Sequence, residues 1–534
     1  MGTARPIHNR AFRRGMALVT VMLMTAVMMI LVGALLTNLV NEIQLTGLHG
    51  QSNEALRAAY AGVEEMQYQF ELNDAGAAPG STPAPQSRSY TDDDGRNVSY
   101  SSFVDTQKWT STLPYYIVHA TGTAGGSTRK VDALLEKQPF SAFNMFTISE
   151  FTNVGGAVYY ASGETFNGPV YSGGPMRVAY TDGQPPIFND QVITASPVTW
   201  APGAPSTGAD WASIISNQGN WHQVSAPLTL PTTTDNSAVQ WAAFSGNPQP
   251  APAPALPTTA GLYINGTNVT AGGGGAITTG LYIVGPVTVL STGNAVGNTE
   301  VLKLTMGGTT QCVSVDFNAN TTRVTKWTGA NCGGAQLAAY SGVPSGQQAP
   351  GVIGPNGAIF ASGQMTIAAG SSFRGQYTLG VPDGKGLANP NMFMLGSVTY
   401  ADTSLTSTDE LAFWANDIIL KDSVSANIEI DGAMFTGYYG ECSAVCSDGT
   451  FYNTFCTGAP TCTGGVGTLT MRGSLIENVR GKRGTLGTTI SGFETNGVYD
   501  PRLATKPPPY TPTTTQYLVL ALCTEDSGGT TCGQ

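Results

Sequence analysis

Residues Met16 to Val40 carry no charge and are apolar apart from three Thr and Asn38. A run of this length spans about 30 Å of hydrocarbon as a helix. Arg5, Arg10, Arg13 and Arg14 all precede it, and positive charge on that side keeps the N-terminus cytoplasmic. A secretory signal has a shorter apolar core, about 7–15 residues, with its small-residue cleavage site behind it. Here the small residue, Gly15, comes before the core, and the helical pattern continues after it. From Asn41 to Asn73 there is no proline, and Leu48, Leu56, Ala59, Tyr60, Val63, Met66 and Phe70 recur mainly at three- and four-residue steps. That spacing makes one apolar stripe. A single helix over 16–73 measures roughly 87 Å, with Gly47, Gly50 and Gly62 as soft points.

Beyond Pro79 the chain is rich in Gly, Thr, Ser, Ala, Val and Asn. Gly numbers 67 and charged residues make up 11%, against about 25% in ordinary domains. These residues suit short strands and tight turns and suit helices poorly. The expected class is mainly β (α+β). The formal charge of −11 becomes −15 if the four N-terminal Arg are removed, so binding to nucleic acid would need a local basic patch.

Residues 74–95 read as a linker. Asp92-Asp93-Asp94-Gly95 within them lacks the alternating oxygen ligands of a Ca²⁺ loop and reads as a solvated turn. Strand patterns follow at Asn97–Val104, Tyr115–Gly122 and Arg129–Glu136. From about Phe140 short apolar runs recur between Gly and Asn: Thr165–Tyr171, Gly261–Ile264 echoed by Gly280–Ile283, Gly357–Ile367, Glu410–Leu420, Ala426–Met434 and Thr468–Val479. The spacing is irregular and gives no strict repeat, but many short strands with Gly turns and small residues favour a β-solenoid, or β-helix, whose coils bury their faces on one another; a β-sandwich is the alternative. A Pro/Thr/Trp-rich excursion at 196–260 holds Trp200, Trp211, Trp221 and Trp241. These can stack on bases or sugars, or pin the loop to its domain. Thr515–Leu522, after Pro507-Pro508-Pro509, is a strand expected to return to the first sheet.

All eight Cys follow the membrane-length run. Cys312 and Cys332 bracket one hairpin-like stretch; Cys442, Cys446, Cys456 and Cys462 share a loop; Cys523 and Cys532 close the tail. Local even clusters in a translocated region read as disulfides. Zinc is the alternative for the four-Cys loop, but it has no CxxC pair and no nearby His, so no metal and no cofactor is expected. Nor is there a GxSxG, P-loop, HExxH or Rossmann pattern. Asp402, Asp409, Asp417, Asp422 and Asp431 are scattered and expected to face solvent. The chain is not expected to be an enzyme.

The local charge signal is basic. Arg472, Arg480, Lys482, Arg483, Arg502 and Lys506 stand between Met471 and Lys506, against Glu477, Glu494 and Asp500. Arg480-Gly481-Lys482-Arg483-Gly484 would set three cations on a Gly-flexible loop suited to phosphate contacts. Arg323 and Lys326, with Trp327, form a second patch. A solvated loop is the plain alternative.

Arg13-Arg14-Gly15-Met16-Ala17-Leu18-Val19-Thr20 resembles the class III leader of type IV pilin-like proteins. The segment Ala58-Ala59-Tyr60-Ala61-Gly62-Val63-Glu64-Glu65 resembles the AAEAG(L/V)E-type segment of minor pilins of the PilX kind. The layout is similar to that of the large competence pilins of the Deinococcus–Thermus group; Gly473-Ser474-Leu475-Ile476, Gly481 and Tyr499-Asp500-Pro501-Arg502-Leu503 resemble the end of their solenoid. The resemblance implies a leader at 1–15 cleaved between Gly15 and Met16, a methylated N-terminus, and a transmembrane and stem helix at 16–73. It implies a pilin-type sheet at 74–139, an inserted β-solenoid at 140–495, and a C-terminal strand within 496–534 returning to that sheet. Thr20 stands at the fifth mature position, where major pilins carry Glu; an isolated carboxylate in a membrane is costly unless paired, and its loss favours a place at the filament tip.

The implied function is a minor pilin of a type IV pilus contributing to DNA capture in natural transformation. The implied partners are other pilins and minor pilins, prepilin peptidase and double-stranded DNA. The implied location is the inner membrane, single-pass, then a cell-surface pilus or the periplasm. A pilus adhesin or a pseudopilus subunit, whose solenoid binds a surface or glycan, is the alternative function.

Overall fold

The computed structural model describes residues 10–75, 82–109, 114–150, 158–161, 163–179, 185–201, 203–215, 218–224, 228, 236–248, 250, 252–269, 279–329, 332–344, 355–383, 391–421, 427–437, 449–454, 466–485 and 491–524. The chain is mainly β, with one long helix at its N-terminal end.

Helix α1 (Arg10–Ala75) is 66 residues long. Its residues 17–49 are exposed throughout, and its most apolar window has a mean hydropathy of 2.5. It is therefore long and apolar enough to cross a membrane. The second half is different. Ala55, Ala58, Ala59, Val63, Met66 and Phe70 are buried, on the stripe that the spacing predicts.

The partner of that stripe is a five-stranded antiparallel sheet. It contains β1 (Gln86–Thr91), β2 (Asn97–Trp109), β3 (Pro114–Ala124), β4 (Ser127–Pro139) and the C-terminal strand Thr513–Thr524. β1 lies in the stretch read from sequence as a linker. Its polar residues pair along one edge and are exposed on all but the first position, so it has no apolar alternation to announce it. Small residues let helix and sheet approach: a Cβ at Gly122 would run into the Ala55 carbonyl oxygen and the Ala59 nitrogen. Asp92 and Asp94 hold the Arg96 guanidinium at 2.8 and 2.6 Å, in the turn between β1 and β2.

In sequence, residues 140–512 lie between two strands that pair with each other, β4 and Thr513–Thr524. Most of this region forms three parallel ladders. One runs through Leu281–Val284, Ala358–Ala361, Gln376–Gly380, Glu410–Ala415, Ile428–Thr436, Val466–Val479, Met145–Ser149, Val170–Ser172, Val192–Thr194 and Trp221–Gln223. A second contains Val287–Val289, Met365–Ile367, Met392–Met394, Ile418–Leu420 and Phe451–Asn453. The third includes Ser371–Phe373, Val398–Tyr400, Ile428–Ile430, Leu469–Arg472, Thr495–Val498, Thr165–Phe166 and Ile187–Phe188. Parallel pairing of this extent is not that of the antiparallel sandwich weighed from sequence.

Chain order and ladder order differ. Met145–Ser149 pairs in the middle of the first ladder, beside Val466–Val479. The chain builds outward to Trp221 at one end and resumes at Gly261 and Leu281 at the other. The excursion 196–260 is therefore no loose loop. It holds helices α2 (Gly208–Ile214) and α3 (Ser237–Ser245) and contributes Trp221–Gln223 to the first ladder.

The first ladder is apolar on both faces, which gives it near-continuous hydrophobic runs. Its inner column is Leu281, Ile359, Leu379, Phe413, Met434, Leu475, Met145 and Val170, all in one core. The outer column, Tyr282, Phe360, Trp414, Phe435, Ile476, Phe146 and Tyr171, is buried under Val239, Ala242 and Phe244 of α3, with Phe140, Leu503 and Tyr510. Fully burying each such side chain contributes about 1.5–3 kcal/mol.

The two junctions with the five-stranded sheet are tied together. Ser141 Oγ donates to the Leu503 carbonyl at 2.8 Å. The Phe140 amide donates to Pro512 at 3.3 Å, and Thr378 Oγ1 donates to the Pro509 carbonyl.

Candidate nucleic-acid interface

Of the two basic patches expected from sequence, the larger is internal. Arg480 is 1% exposed. Its guanidinium sits 3.5 Å from the centroid of the Tyr160 ring, with Glu150 at 3.3 Å and Glu164 at 3.5 Å. Burial opposes its charge, but Tyr160 and the two carboxylates outweigh that and hold its pKa above the ordinary arginine value. Arg483 is also buried, 3.9 Å from Glu477. Glu477 is fully enclosed, and burial pushes its carboxyl pKa up. Both expectations of phosphate contact are corrected: a cation enclosed by protein carboxylates presents nothing to a phosphate.

Arg472 is spoken for as well. On Val466–Val479 it bridges Glu429 at 3.1 Å and Asp431 at 3.5 Å on the neighbouring strand. Lys482 is half-buried, and burial lowers its pKa. Arg502 is buried and gripped by Asp500 at 2.7 Å. The arginines neutralise carboxylates within the fold, a function that local sequence does not reveal.

Several aspartates expected in solvent are also structural. Asp409 and Asp431 are buried. Asp409 accepts from the Gly375 and Asp402 amides and from Arg374, and Asp431 accepts from the Tyr400 amide. Half-buried Asp417 accepts from the Gly449 and Thr450 amides. Asp402 is half-buried and partnered with Ser404, while Asp422 lies outside the described residues.

The smaller patch is the one at the surface. Between the first two ladders and Ala358, the chain makes an antiparallel meander of Val287–Asn294, Thr299–Met306, Thr309–Asp316, Thr321–Lys326 and Gln336–Ser341. Strict alternation in Thr299–Met306 buries Glu300, Leu302, Leu304 and Met306 and leaves Lys303 on the outer face. Arg323 and Lys326 are exposed and form no ion pair among the described residues. Lys303 Nζ lies 4.5 Å from the Trp327 ring centroid, within cation–π range. Lys303, Cys312 and Thr325 form one cross-strand row. The Cys312–Cys332 disulfide is formed, and it ties the 332–334 segment beside Trp327. Trp327 is itself fixed, its amide donating to Thr310 and its indole N–H to Gly329, both at 3.1 Å. The result is two cations, Lys303 and Arg323, and one partly exposed indole on the outer face of a disulfide-tied sheet, while Lys326, in register with buried Gln311, is exposed on the other face.

Lys303 is the residue that sequence reading missed. The alternating run Thr-Glu-Val-Leu-Lys-Leu-Thr-Met could have placed it outward; its partner Trp327 lies two strands away and required the register.

Trp200, Trp211 and Trp221 pack on one another with centroids 5.0–5.9 Å apart and against the inner core. Trp241 packs against the outer one. They pin the excursion. Gly15 and Met16 lie within α1, the Met16 side chain outside the described residues, and Thr20 is exposed on it. Cys523 is disulfide-bonded. Cys442, Cys446, Cys456, Cys462 and Cys532 lie outside the described residues.

No family model matches the chain, and no curated protein does. Among solved structures, the chain is similar to the competence-associated pilin ComZ from Thermus thermophilus. The identity is 12%, with 89% of this chain and 98% of that one covered, and the TM-score is 0.28. A score at that level carries no argument about fold or function.

Proposed function

We propose that this chain is a pilin-like minor subunit of a type IV pilus, placed at or near the tip, which displays a large non-enzymatic β head. The observation that carries the reading is the division of α1. Its residues 17–49 are uncovered and apolar as far as Val40, while the half from Ala55 on buries one stripe against an antiparallel sheet. A membrane anchor alone needs no such second half. Prepilin peptidase would cleave between Gly15 and Met16, the new N-terminus would be methylated, and the subunit would rest in the inner membrane before joining other pilins. On this reading the parallel ladders are the coils of a solenoid inserted between β4 and the last strand, and Thr20 removes the need for a subunit ahead.

The head would capture double-stranded DNA for uptake in natural transformation. The support is the outer meander surface of Lys303, Arg323 and Trp327, which combines phosphate-neutralising cations with an aromatic ring. A deletion strain scored for both piliation and DNA uptake tests the proposal. Loss of uptake supports it. Unchanged uptake, together with no salt-sensitive DNA binding by the purified chain, overturns DNA capture and leaves only the pilin-like part.

A further inference from the structure

Asp74 is the penultimate residue of α1, and its side chain is 2% exposed. Carboxylates are disfavoured at a helix C-terminus, where the macrodipole is negative, and the last turn of α1 contains no basic residue. Its partners come from the sheet instead. Lys137 Nζ of β4 lies 2.9 Å from Asp74 Oδ2, and the Tyr517 hydroxyl donates to the same oxygen at 2.7 Å. The Tyr517 ring is 4.8 Å from Phe70 and 6.0 Å from Tyr116, centroid to centroid. An ammonium and a carboxylate thus meet in an aromatic enclosure, where desolvating two charges is expensive.

We infer that Asp74 and Lys137 condense into an intramolecular amide, a covalent staple between the end of the stem helix and its sheet. The reaction needs no co-reactant. The ammonium passes one proton to Oδ2, leaving an amine and a carboxylic acid. Nζ bonds to Cγ, and the Tyr517 hydroxyl protonates the departing Oδ2 while a proton from Nζ restores the phenol. Oδ2 leaves as water, Oδ1 remains as the amide oxygen, and nothing is oxidised or reduced. One buried carboxylate and one half-buried ammonium lose their charges and one neutral amide stays. The staple joins α1 to the strand that leads into residues 140–512, so tension between stem and head would cross a covalent bond. Tyr517 is a positioning and proton-relaying group for this step.

The test is peptide mapping of the full-length chain, purified in detergent, reduced, alkylated and digested with trypsin. The Lys137–Gln138 bond is expected to resist cleavage, and a branched peptide joining the Asp74 and Lys137 segments should appear, lighter than their sum by one water. Lys137→Arg keeps the ion pair but abolishes the branched peptide. Tyr517→Phe slows its formation at least about tenfold in protein sampled at intervals after synthesis. Complete cleavage after Lys137 in the parent protein, with no branched peptide, overturns the proposal. Unslowed branching in Tyr517→Phe overturns the relay.

Discussion

The guanidinium plane of Arg480 lies over the ring of Tyr160, its carbon 3.5 Å from the ring centroid, with both residues closed off from solvent. This pair links Gly481-Lys482-Arg483, far along the chain, to a segment near the start of the β head. Arg480→Ala strands Glu150 and Glu164 without their cation and is expected to cost about 3–5 kcal/mol, read as a lowered denaturant midpoint. Arg480→Lys recovers only part, because an ammonium cannot stack as a planar guanidinium does. Polyanion binding by folded Arg480→Lys should match the parent.

Stability should fall as pH rises through neutrality. Burial raises the carboxyl pKa of Glu300 to about 8, of Glu410 to about 8 and of Asp431 to about 7, from 4.5, 4.5 and 3.8. A folded-state pKa above the unfolded one stabilises fully below the unfolded value, and that contribution is lost as pH climbs through the folded value. Thermal melts from pH 5 to pH 9 should show a progressive drop, steepest at about pH 6 and levelling off above about pH 8. Glu300→Gln should blunt it, being more stable than the parent at pH 9 by about 1–3 kcal/mol. An equal slope in parent and variant would refute this account.

Gly122→Val is expected to separate α1 from its sheet. The added side chain meets helix backbone at Ala55 and Ala59, not a flexible side chain, so the penalty is about 3 kcal/mol or more. Limited proteolysis should then cut α1 between residues 55 and 70 while the parallel ladders stay resistant.

For the meander surface, Lys303→Ala and Arg323→Ala together should weaken duplex DNA binding at low salt and reduce the slope of log affinity against log salt by about 2. Arg472→Ala, paired within its own stack, should leave the slope unchanged. Equal slopes in the double variant and the parent would remove the meander as the contact surface.

Reducing the Cys312–Cys332 disulfide, which spans 20 residues, should lower stability by about 3 kcal/mol in the chain-entropy account. Cys332→Ser should also quench or shift Trp327 fluorescence by loosening the segment beside it.

The long helix was legible because one run of apolar residues and one stripe at helical spacing are local signals. The strands β2, β3 and β4 and the C-terminal strand were legible for the same reason, each alternating or bounded by turn residues. β1 was not, since a polar edge strand is held by backbone pairing alone. The arginines of 472–502 misled because charge read along a chain says nothing about what stands opposite. Glu150 and Glu164 lie more than 300 positions from Arg480, and the parallel registers of Met145–Ser149 against Val466–Val479 and of Thr165–Phe166 against Ser491–Val498 bring them together.

By itself, then, the sequence determined the membrane-length helix, the β character of the rest and the local disulfide between Cys312 and Cys332, because each depends on residues near one another along the chain. Which charges are free was decided by tertiary structure alone. Stacking strands in parallel places side chains from distant segments in columns one strand apart, so the same Arg is either a solvent cation or half of a buried pair according to its neighbour. That is why Arg480 and Arg483 went inside and Lys303, unremarkable in the sequence, came to stand beside Trp327 on the surface.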